Sequence, residues 1–203
     1  MARKGALTMF TVSEWIRMKP ARTAPVIGFM LSSAAAQLNQ KPITGAVLAG
    51  LMRVYSDSVN MVNAPFLAKE RGLDVREVRH DRETDYHTLL RVSAMTSAGD
   101  RAVAGTLFAN STPRLVEIFG IRVEAELEGE MIYIVNEDAP GFIGRLGSAL
   151  GEAGVNIGTF HLGRRAAGGE AVALVSVDSH VGEAMEARLA ALPGVKRVKA
   201  LRF

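Results

Sequence analysis

The stretch Met131–Leu162, MIYIVNEDAPGFIGRLGSALGEAGVNIGTFHL, decides the fold of this protein. It opens with an apolar, β-rich run that ends at a cluster of turn-forming residues, NEDAPG. Apolar residues then recur at helical spacing, and Gly154 is placed to end that helix. A second strand starts at Val155. The stretch therefore predicts a strand–turn–helix–strand unit whose loop lies at the N-terminus of a helix.

The loop before this helix carries polar side chains that suit an amino-acid ligand. Backbone N–H groups at a helix N-terminus are unpaired and the helix dipole is positive there, so a carboxylate is stabilised. Asn136 and Asp138 flank the loop, and Asn156 enters the next strand. If the two strands are neighbours, the three side chains converge, and Asp138 can accept from an ammonium group. The alternative, commoner for such residues, is that Asn136 and Asp138 only cap the turn and the helix.

The residues that follow complete a small domain. Glu170–Val177 alternates as a strand, Val181–Leu192 has the apolar spacing of a helix, and Val195–Leu201 reads as a last strand. The order from Met131 is therefore β-α-β-β-α-β, which is the ferredoxin-like arrangement. The sequence predicts an α+β domain at about residues 129–203.

The part of the chain before this domain predicts a second α+β layer. Helical periodicity begins near Pro42 and again near Asn63, and the second helix is predicted to turn Phe66 and Leu67 inward. Runs with strand-like alternation follow at 74–79, 86–95, 101–109 and 114–128, the last interrupted by Gly120 as a candidate bulge. We predict two helices on one side of an antiparallel sheet, at about residues 37–128.

The first 36 residues carry the weakest pattern. We predict a partly mobile leader at 1–36, in which Val26–Leu31 is a candidate strand. A secretory signal is the alternative, because basic residues precede this apolar run and Ala34–Ala36 follows it. The charged segment is long and the apolar core short for a signal, so we expect a cytoplasmic protein. No apolar run approaches the roughly 18 residues of a membrane span, and we expect no membrane contact.

Composition restricts the classes of function. The chain has 203 residues with 24 basic and 21 acidic side chains, and this net charge of +3 is too small and interspersed to predict nucleic-acid binding. The absence of cysteine excludes a disulfide framework, a thiol nucleophile and a cysteine-ligated metal. Apolar residues make up 48%, enough to fill the cores of two small domains.

No stretch predicts catalysis or cofactor binding. Gly141, Gly144 and Gly147 follow the spacing GxxGxxG, whereas a dinucleotide site requires GxGxxG. No serine lies in a nucleophile elbow, and no Ser–His–Asp order stands out. One charged turn could be either a metal site or a solvated surface loop. It contains His80, Asp81, Glu83, Asp85 and His87. We prefer the solvated turn and predict no catalytic residue, no cofactor and no metal in this chain.

The two predicted domains, in this order, resemble the C-terminal regulatory part of D-3-phosphoglycerate dehydrogenase. NEDAPGFIG at 136–144 and GVNIG at 154–158 resemble its ACT domain. Five earlier motifs resemble its intervening domain, which is also called the allosteric substrate-binding domain. They are KPIT at 41–44, VNMVNAP at 59–65, ERG at 70–72, VAGT at 103–106 and PRLVEI at 113–118. In that family the intervening domain usually begins with a further strand, for which Val26–Leu31 is the candidate here.

The resemblance implies a regulatory function. In that family the ACT loop and the asparagine of the GVNI motif bind L-serine across an ACT dimer interface. The matching positions are Asn136, Asp138 and Asn156, although many members have an aromatic residue or histidine in place of Asn136. The resemblance also implies self-association through ACT domains and a partnership with a catalytic dehydrogenase part or subunit. That part would hold NAD and oxidise 3-phosphoglycerate, and the sequence here shows no counterpart of it.

Two other functions stay open on the sequence. The β chain of the iron–sulfur L-serine dehydratase has a similar domain pair. Its motif Gly-Pro-Ser-Ser-Ser-His-Thr has only a partial counterpart here, LSSA at 31–34, which lacks the histidine. The third alternative is a dimerisation module without a ligand, because Asn136 departs from the residue that the ACT domains of this family usually carry.

Overall fold

A computed structural model describes residues 26–33, 39–53, 56–80, 85–96, 99–109 and 111–203. These residues divide into two compact units, one ending at Arg114 and one running from Leu115 to Phe203. The predicted mobility of the leader at 1–36 falls on residues 1–25 and 34–36, which lie outside the described residues. The basic residues and Ala34–Ala36 of the signal-peptide alternative lie outside them too, whereas its apolar run is described. No helix in the described part of the chain is long and apolar enough to cross a membrane.

The first unit contains two helices and a four-stranded part of a mixed sheet. Its elements in chain order are β1 (Val26–Ser33), α1 (Gln40–Met52), α2 (Ala64–Glu70), β2 (Asp74–His80), β3 (Thr88–Thr96) and β4 (Gly99–Phe108). Hydrogen-bonded neighbours follow the order β2-β1-β3-β4. The α+β prediction is confirmed, but the prediction of a purely antiparallel sheet is wrong, since β1 and β2 run parallel. The two helices form the crossover that a parallel pair requires.

Strand β1 lies between β2 and β3, in a segment that the sequence pattern assigned to the leader. The candidate strand at Val26–Leu31 is thereby confirmed, and it belongs to the first sheet. Ile27, Phe29 and Leu31 alternate into the core because successive side chains of a strand point to opposite faces. Phe29 pairs with Glu77 of β2, whose carboxylate accepts a 2.5 Å hydrogen bond from the hydroxyl of Thr44 in α1. This contact shows that α1 covers the Phe29 face.

Helix α1 begins as predicted, with the side chain of Asn39 accepting a hydrogen bond from the N–H of Lys41. In α2 the prediction for Phe66 is wrong, because its side chain is 64% exposed while Ala64 and Ala68 are buried. A Cβ atom at Gly45 of α1 would overlap the backbone of the loop before α2. Backbone and small side chains therefore fill this interface, and they leave no room for an inward phenylalanine.

The second unit contains the ferredoxin-like domain and a preceding strand. After β5 (Thr112–Ile118), which starts in the first unit, come β6 (Ile121–Glu126), β7 (Glu130–Glu137), α3 (Phe142–Glu152), β8 (Ile157–Arg164), β9 (Glu170–Val177), α4 (Glu183–Ala190) and β10 (Val195–Arg202). The sheet order β10-β7-β9-β8 confirms the predicted βαββαβ domain. Gly120 is not a bulge: Phe119 and Gly120 have φ values of 51° and 78°, as in a two-residue hairpin turn.

The two central strands of this four-stranded sheet, β7 and β9, are buried on both faces. On one face, Ile134 and Val175 pack with residues of the two helices. On the other face, Tyr133 and Leu174 are fully buried, and β6 contacts β8 and β9. Burial on two sides explains why the central strands β7 and β9 are apolar almost throughout, as sheets covered on both faces are.

Gly163 permits the close contact between β6 and β8. A Cβ atom at this position would overlap the carbonyl oxygen of Arg122 and would approach the side chain of Ile121. Backbone atoms cannot move aside as the end of a flexible side chain can. The approach of the two strands therefore depends on glycine at this position.

We expect Gly163→Ala to lower the free energy of unfolding by about 1–3 kcal/mol, the usual cost of overpacking a core. The measurement is chemical denaturation followed by circular dichroism. Gly147→Ala in α3 is the control, since no atom lies within 4 Å of its Cβ position. That control should be neutral or stabilising by about 0.5–1 kcal/mol. Equal stabilities for the two variants would contradict a close contact of β6 with β8.

Candidate functional site

Asn136, near the end of β7, is a buried polar side chain with an unused acceptor. Only 1% of the residue is exposed, and its Nδ2 donates a 2.7 Å hydrogen bond to the carbonyl oxygen of Glu137. Its Oδ1 is buried and accepts no hydrogen bond from the residues that the structure describes. An unsatisfied buried acceptor costs about 1–3 kcal/mol. Asn136 therefore offers a place for an external N–H or O–H donor.

The N-terminus of α3 supplies donors beside this acceptor. Gly141 precedes the helix with a left-handed φ of 83°, and its carbonyl oxygen accepts a 3.0 Å hydrogen bond from the N–H of Arg145. The N–H groups of Ile143 and Gly144, in the first turn, donate no hydrogen bond to any described residue. They remain available for an anionic group, and the helix dipole favours one there.

Asp138 connects this loop to the far end of β8. Its Oδ2 accepts hydrogen bonds from Nη1 of Arg164 at 2.8 Å and from the N–H of Gly168 at 3.1 Å. Its own N–H donates to the carbonyl oxygen of Gly169 at 2.8 Å. The guanidinium of Arg164, and then the N–H of Gly168, lower the pKa of this carboxyl, against an opposing effect of desolvation. Asp138 is therefore ionised at neutral pH.

These groups line one cavity of about 340 Å³. Its polar walls are Asn136, Asp138, Arg164 and the first turn of α3, and Leu162 lies beside them. The cavity thus combines free acceptors, free backbone donors and a matched pair of opposite charges. A zwitterion of small size has the complementary groups.

A second cavity, of about 390 Å³, lies between α3 and α4. Although it is larger, two of its three charged residues, Glu152 and Arg188, pair with each other. The remaining lining includes Ser148, which is exposed, and Leu192. Its lining also includes Arg145, whose Nε is buried without a hydrogen-bond partner. We place the functional site at the smaller cavity because Asn136 with its unpartnered acceptor, the ion pair of Asp138 with Arg164, and the first turn of α3 lie together there.

Asn156 does not join this site within one chain. Asn136 and Arg164 both pair with Ala171 of β9, whereas Ile157, next to Asn156, pairs with Val177. The offset from Ala171 to Val177 corresponds to about 20 Å along the strand. Since β9 lies between β7 and β8, the predicted convergence of all three residues in a single chain is wrong. Asn156 is exposed, and its Nδ2 donates a 2.7 Å hydrogen bond to Asp178.

The sequence pattern missed Arg164, which lies 26 residues from its partner Asp138. It is the last residue of β8 and is followed by a turn, where a surface arginine is ordinary. The alternation of β8 places Arg164 on the same face as Leu162, and this was the one available signal. Its pairing required the positions of two separate loops.

No group of three or more histidine, aspartate or glutamate side chains among the described residues is arranged to hold a metal ion. Part of the charged turn that raised this alternative lies outside them, since residues 81–84 are not described.

Comparison with known families defines the class of protein. An ACT domain model matches residues 131–194, and the model described as the D-3-phosphoglycerate dehydrogenase intervening domain matches residues 22–119. The chain is thus an ACT-domain protein with a preceding intervening domain. The two matched domains, and the region of the relatives that the chain matches, indicate a regulatory part of D-3-phosphoglycerate dehydrogenase. The resemblance inferred from the motifs is confirmed.

Curated relatives agree with this assignment. The chain is 33% identical to D-3-phosphoglycerate dehydrogenase of Bacillus subtilis over 174 residues, which is 85% of this chain and 33% of that protein. It is 29% identical to the Synechocystis enzyme over 159 residues, 78% of this chain and 29% of the relative. For the Methanocaldococcus jannaschii enzyme the identity is 32% over 162 residues, 79% of this chain and 30% of the relative. The chain spans about a third of the length of these curated relatives.

We expect the Asp138 carboxyl to titrate below its ordinary value of 3.8, as measured by NMR of the side-chain carboxyl carbon. Because this pKa is lower in the folded than in the unfolded chain, the contact stabilises the fold above the unfolded pKa. That contribution is lost as the pH falls through the folded pKa, below about pH 4.

Arg164→Gln should raise the Asp138 pKa, since it removes the guanidinium hydrogen bond. Arg165→Gln is the matched control, because it makes the same charge change at the neighbouring residue, whose Nη2 bonds to the carbonyl oxygen of Phe119 at 2.6 Å. An Asp138 pKa that is the same in both variants would show that Arg164 does not set it.

Proposed function

We propose that this chain is the amino-acid-sensing regulatory module of a D-3-phosphoglycerate dehydrogenase and that it binds L-serine in the cavity beside α3. The observation that carries the proposal is the unpartnered, buried Oδ1 of Asn136. Asn136 lines the same cavity as the ionised Asp138 and the first turn of α3, where the N–H groups of Ile143 and Gly144 are free. The ammonium group of an α-amino acid can donate hydrogen bonds to Asn136 and Asp138, and its carboxylate can accept them from the free N–H groups.

The charges suggest how the ligand is oriented. The ligand ammonium donates to Asp138 and Asn136, and the carboxylate lies toward Ile143 and Gly144. A charge-assisted hydrogen bond is about twice as strong as a neutral one. The small volume, and the lining by Leu162 and Phe142, favour a short side chain.

Asn156 completes the site from a second copy of the chain. In one chain it lies about 20 Å from Asn136 along the sheet, so only another copy can bring it to the cavity. Strand β8, which begins next to Asn156, is an edge strand of its sheet, and an edge with unpaired backbone groups favours association. A two-fold arrangement then places Asn136 and Asp138 of each copy opposite Asn156 of the other.

Ligand binding in this arrangement changes the geometry of the catalytic part to which the module is attached. The relatives are about three times as long as the matched region, and their name describes oxidation of 3-phosphoglycerate. We assign NAD and catalysis to a separate catalytic part, whether in a longer chain or in another cytoplasmic subunit. L-Serine that binds one arrangement of two modules more tightly shifts the population toward it, and thereby changes catalysis.

A dimerisation module without a ligand is the competing function. The contacts of Asp138 with Arg164 and Gly168 favour it, because they hold two loops together and need no ligand. It leaves the buried acceptor of Asn136 without a role. The two functions differ in whether the cavity binds an amino acid.

We expect isothermal titration of the chain with L-serine to give saturable heat. Glycine and L-alanine are the controls for the hydroxyl group. Asn136→Ala should weaken binding at least about tenfold, the effect of losing one hydrogen bond to a charged group. Absence of any heat at millimolar L-serine would exclude the sensor and leave the dimerisation module.

A mixing experiment tests whether the site is shared between copies. At an L-serine concentration that saturates the wild type but not a weakened site, Asn136→Ala and Asn156→Ala should each show little binding alone. After unfolding and refolding together, half of the dimers contain one copy of each variant, and one of their two sites is intact. About a quarter of the wild-type binding capacity should therefore return. No recovery, with dimers formed, would show that the two asparagines do not share a site across copies. Binding by Asn156→Ala alone at the wild-type level would show that Asn156 has no part in the site.

A further inference from the structure

We propose that Arg164 binds the carboxylate of the ligand and makes this cavity selective for amino acids over amines of the same shape. The inference rests on the proposed function and names a recognition residue that the motifs do not include. Arg164 is the last residue of β8 and lines the cavity together with Asn136, Asp138 and the first turn of α3.

Most of the hydrogen-bonding capacity of Arg164 is unused. A guanidinium has five N–H donors in a planar fork. In Arg164 only Nη1 is engaged, at 2.8 Å from Oδ2 of Asp138, and the other donors have no partner among the described residues. The side chain is 58% exposed, so these donors are accessible to a ligand. The pairing with Asp138 already restricts the rotamers of the Arg164 side chain. Ligand binding therefore costs less side-chain conformational entropy.

The charges of the cavity match a zwitterion. Asp138 and Arg164 together have no net charge, but they place a negative and a positive group side by side. An α-amino acid has the same two charges in the opposite order. Its ammonium lies at Asp138 and its carboxylate is shared between Arg164 and the N–H groups of Ile143 and Gly144. An amine without the carboxylate leaves Arg164 without a ligand partner and loses this interaction.

The alternative role for Arg164 is to position Asp138. The ion pair, together with the contact of Gly168, connects the loop before α3 to the loop after β8. Loss of the arginine would then weaken every ligand that uses Asp138. Carboxylate recognition would weaken only ligands that carry a carboxylate. The two roles therefore differ in the ratio of two affinities, and the ratio does not depend on how well Asp138 is held.

The test is isothermal titration of the full chain with L-serine and with L-serinamide, which replaces the carboxylate by a neutral amide. The pH is kept below the pKa of both ligand ammonium groups. We expect the wild type to prefer serine. Arg164→Gln should lower serine affinity by about 10- to 100-fold, as expected for a hydrogen bond between charged groups. Its affinity for serinamide should change by less than about threefold, within the usual scatter for an exposed side chain.

Two further variants complete the set. Arg165→Gln removes the same charge one residue away, at a side chain that contacts Phe119, and should leave both affinities unchanged. Arg164→Lys keeps the charge without the planar fork and should retain part of the preference for serine. Each variant is checked for folding by its denaturation midpoint.

Equal losses for both ligands in Arg164→Gln would overturn carboxylate recognition and assign Arg164 a positioning role. Unchanged or tighter serine binding would overturn it as well. If the wild type binds serine and Arg164→Gln gives one of these two results, only carboxylate recognition by Arg164 fails, and the sensor function stands. If the wild type binds neither ligand, the proposed function fails and this inference fails with it.

Discussion

The ion pair between Asp138 and Arg164 is the interaction on which the site depends. It connects the loop at the start of α3 with the end of β8, and the N–H of Gly168 strengthens it on the same carboxylate oxygen. This places a positive group, a negative group and the free N–H groups of a helix around one cavity. The contact is part-exposed, so its contribution to stability is modest. Its importance lies in geometry, because it orients every charged group that a small zwitterion would meet.

The scaffold beneath this site is rigid for a physical reason. The central strands β7 and β9 of the sheet β10-β7-β9-β8 are buried on both faces, one by α3 and α4 and the other with the contribution of β6. A strand that is packed on two sides cannot shift its register without exposing apolar side chains on one of them. Asn136, on such a strand, keeps its unpartnered acceptor at a constant position. A preorganised polar group of this kind favours specific binding of a small ligand.

The separation of Asn156 from Asn136 has a consequence for regulation. A site completed by a second copy exists only when two chains associate, so ligand binding and association are thermodynamically linked. This is the physical logic of a regulatory module in a longer enzyme. It needs no catalytic residue of its own.

Local patterns in the sequence determined the order of elements in both domains, the start of α1, the strand β1 and the loop residues Asn136 and Asp138. Each of these is set by neighbours within a few residues, through periodicity, capping and turn chemistry. The tertiary structure alone decided that β1 and β2 are parallel, that Phe66 is exposed, that Arg164 meets Asp138 and that Asn156 lies at the other end of the sheet. These depend on strand order and close approach of distant segments. Many orders satisfy the same local pattern, and only the packing of the whole domain selects one.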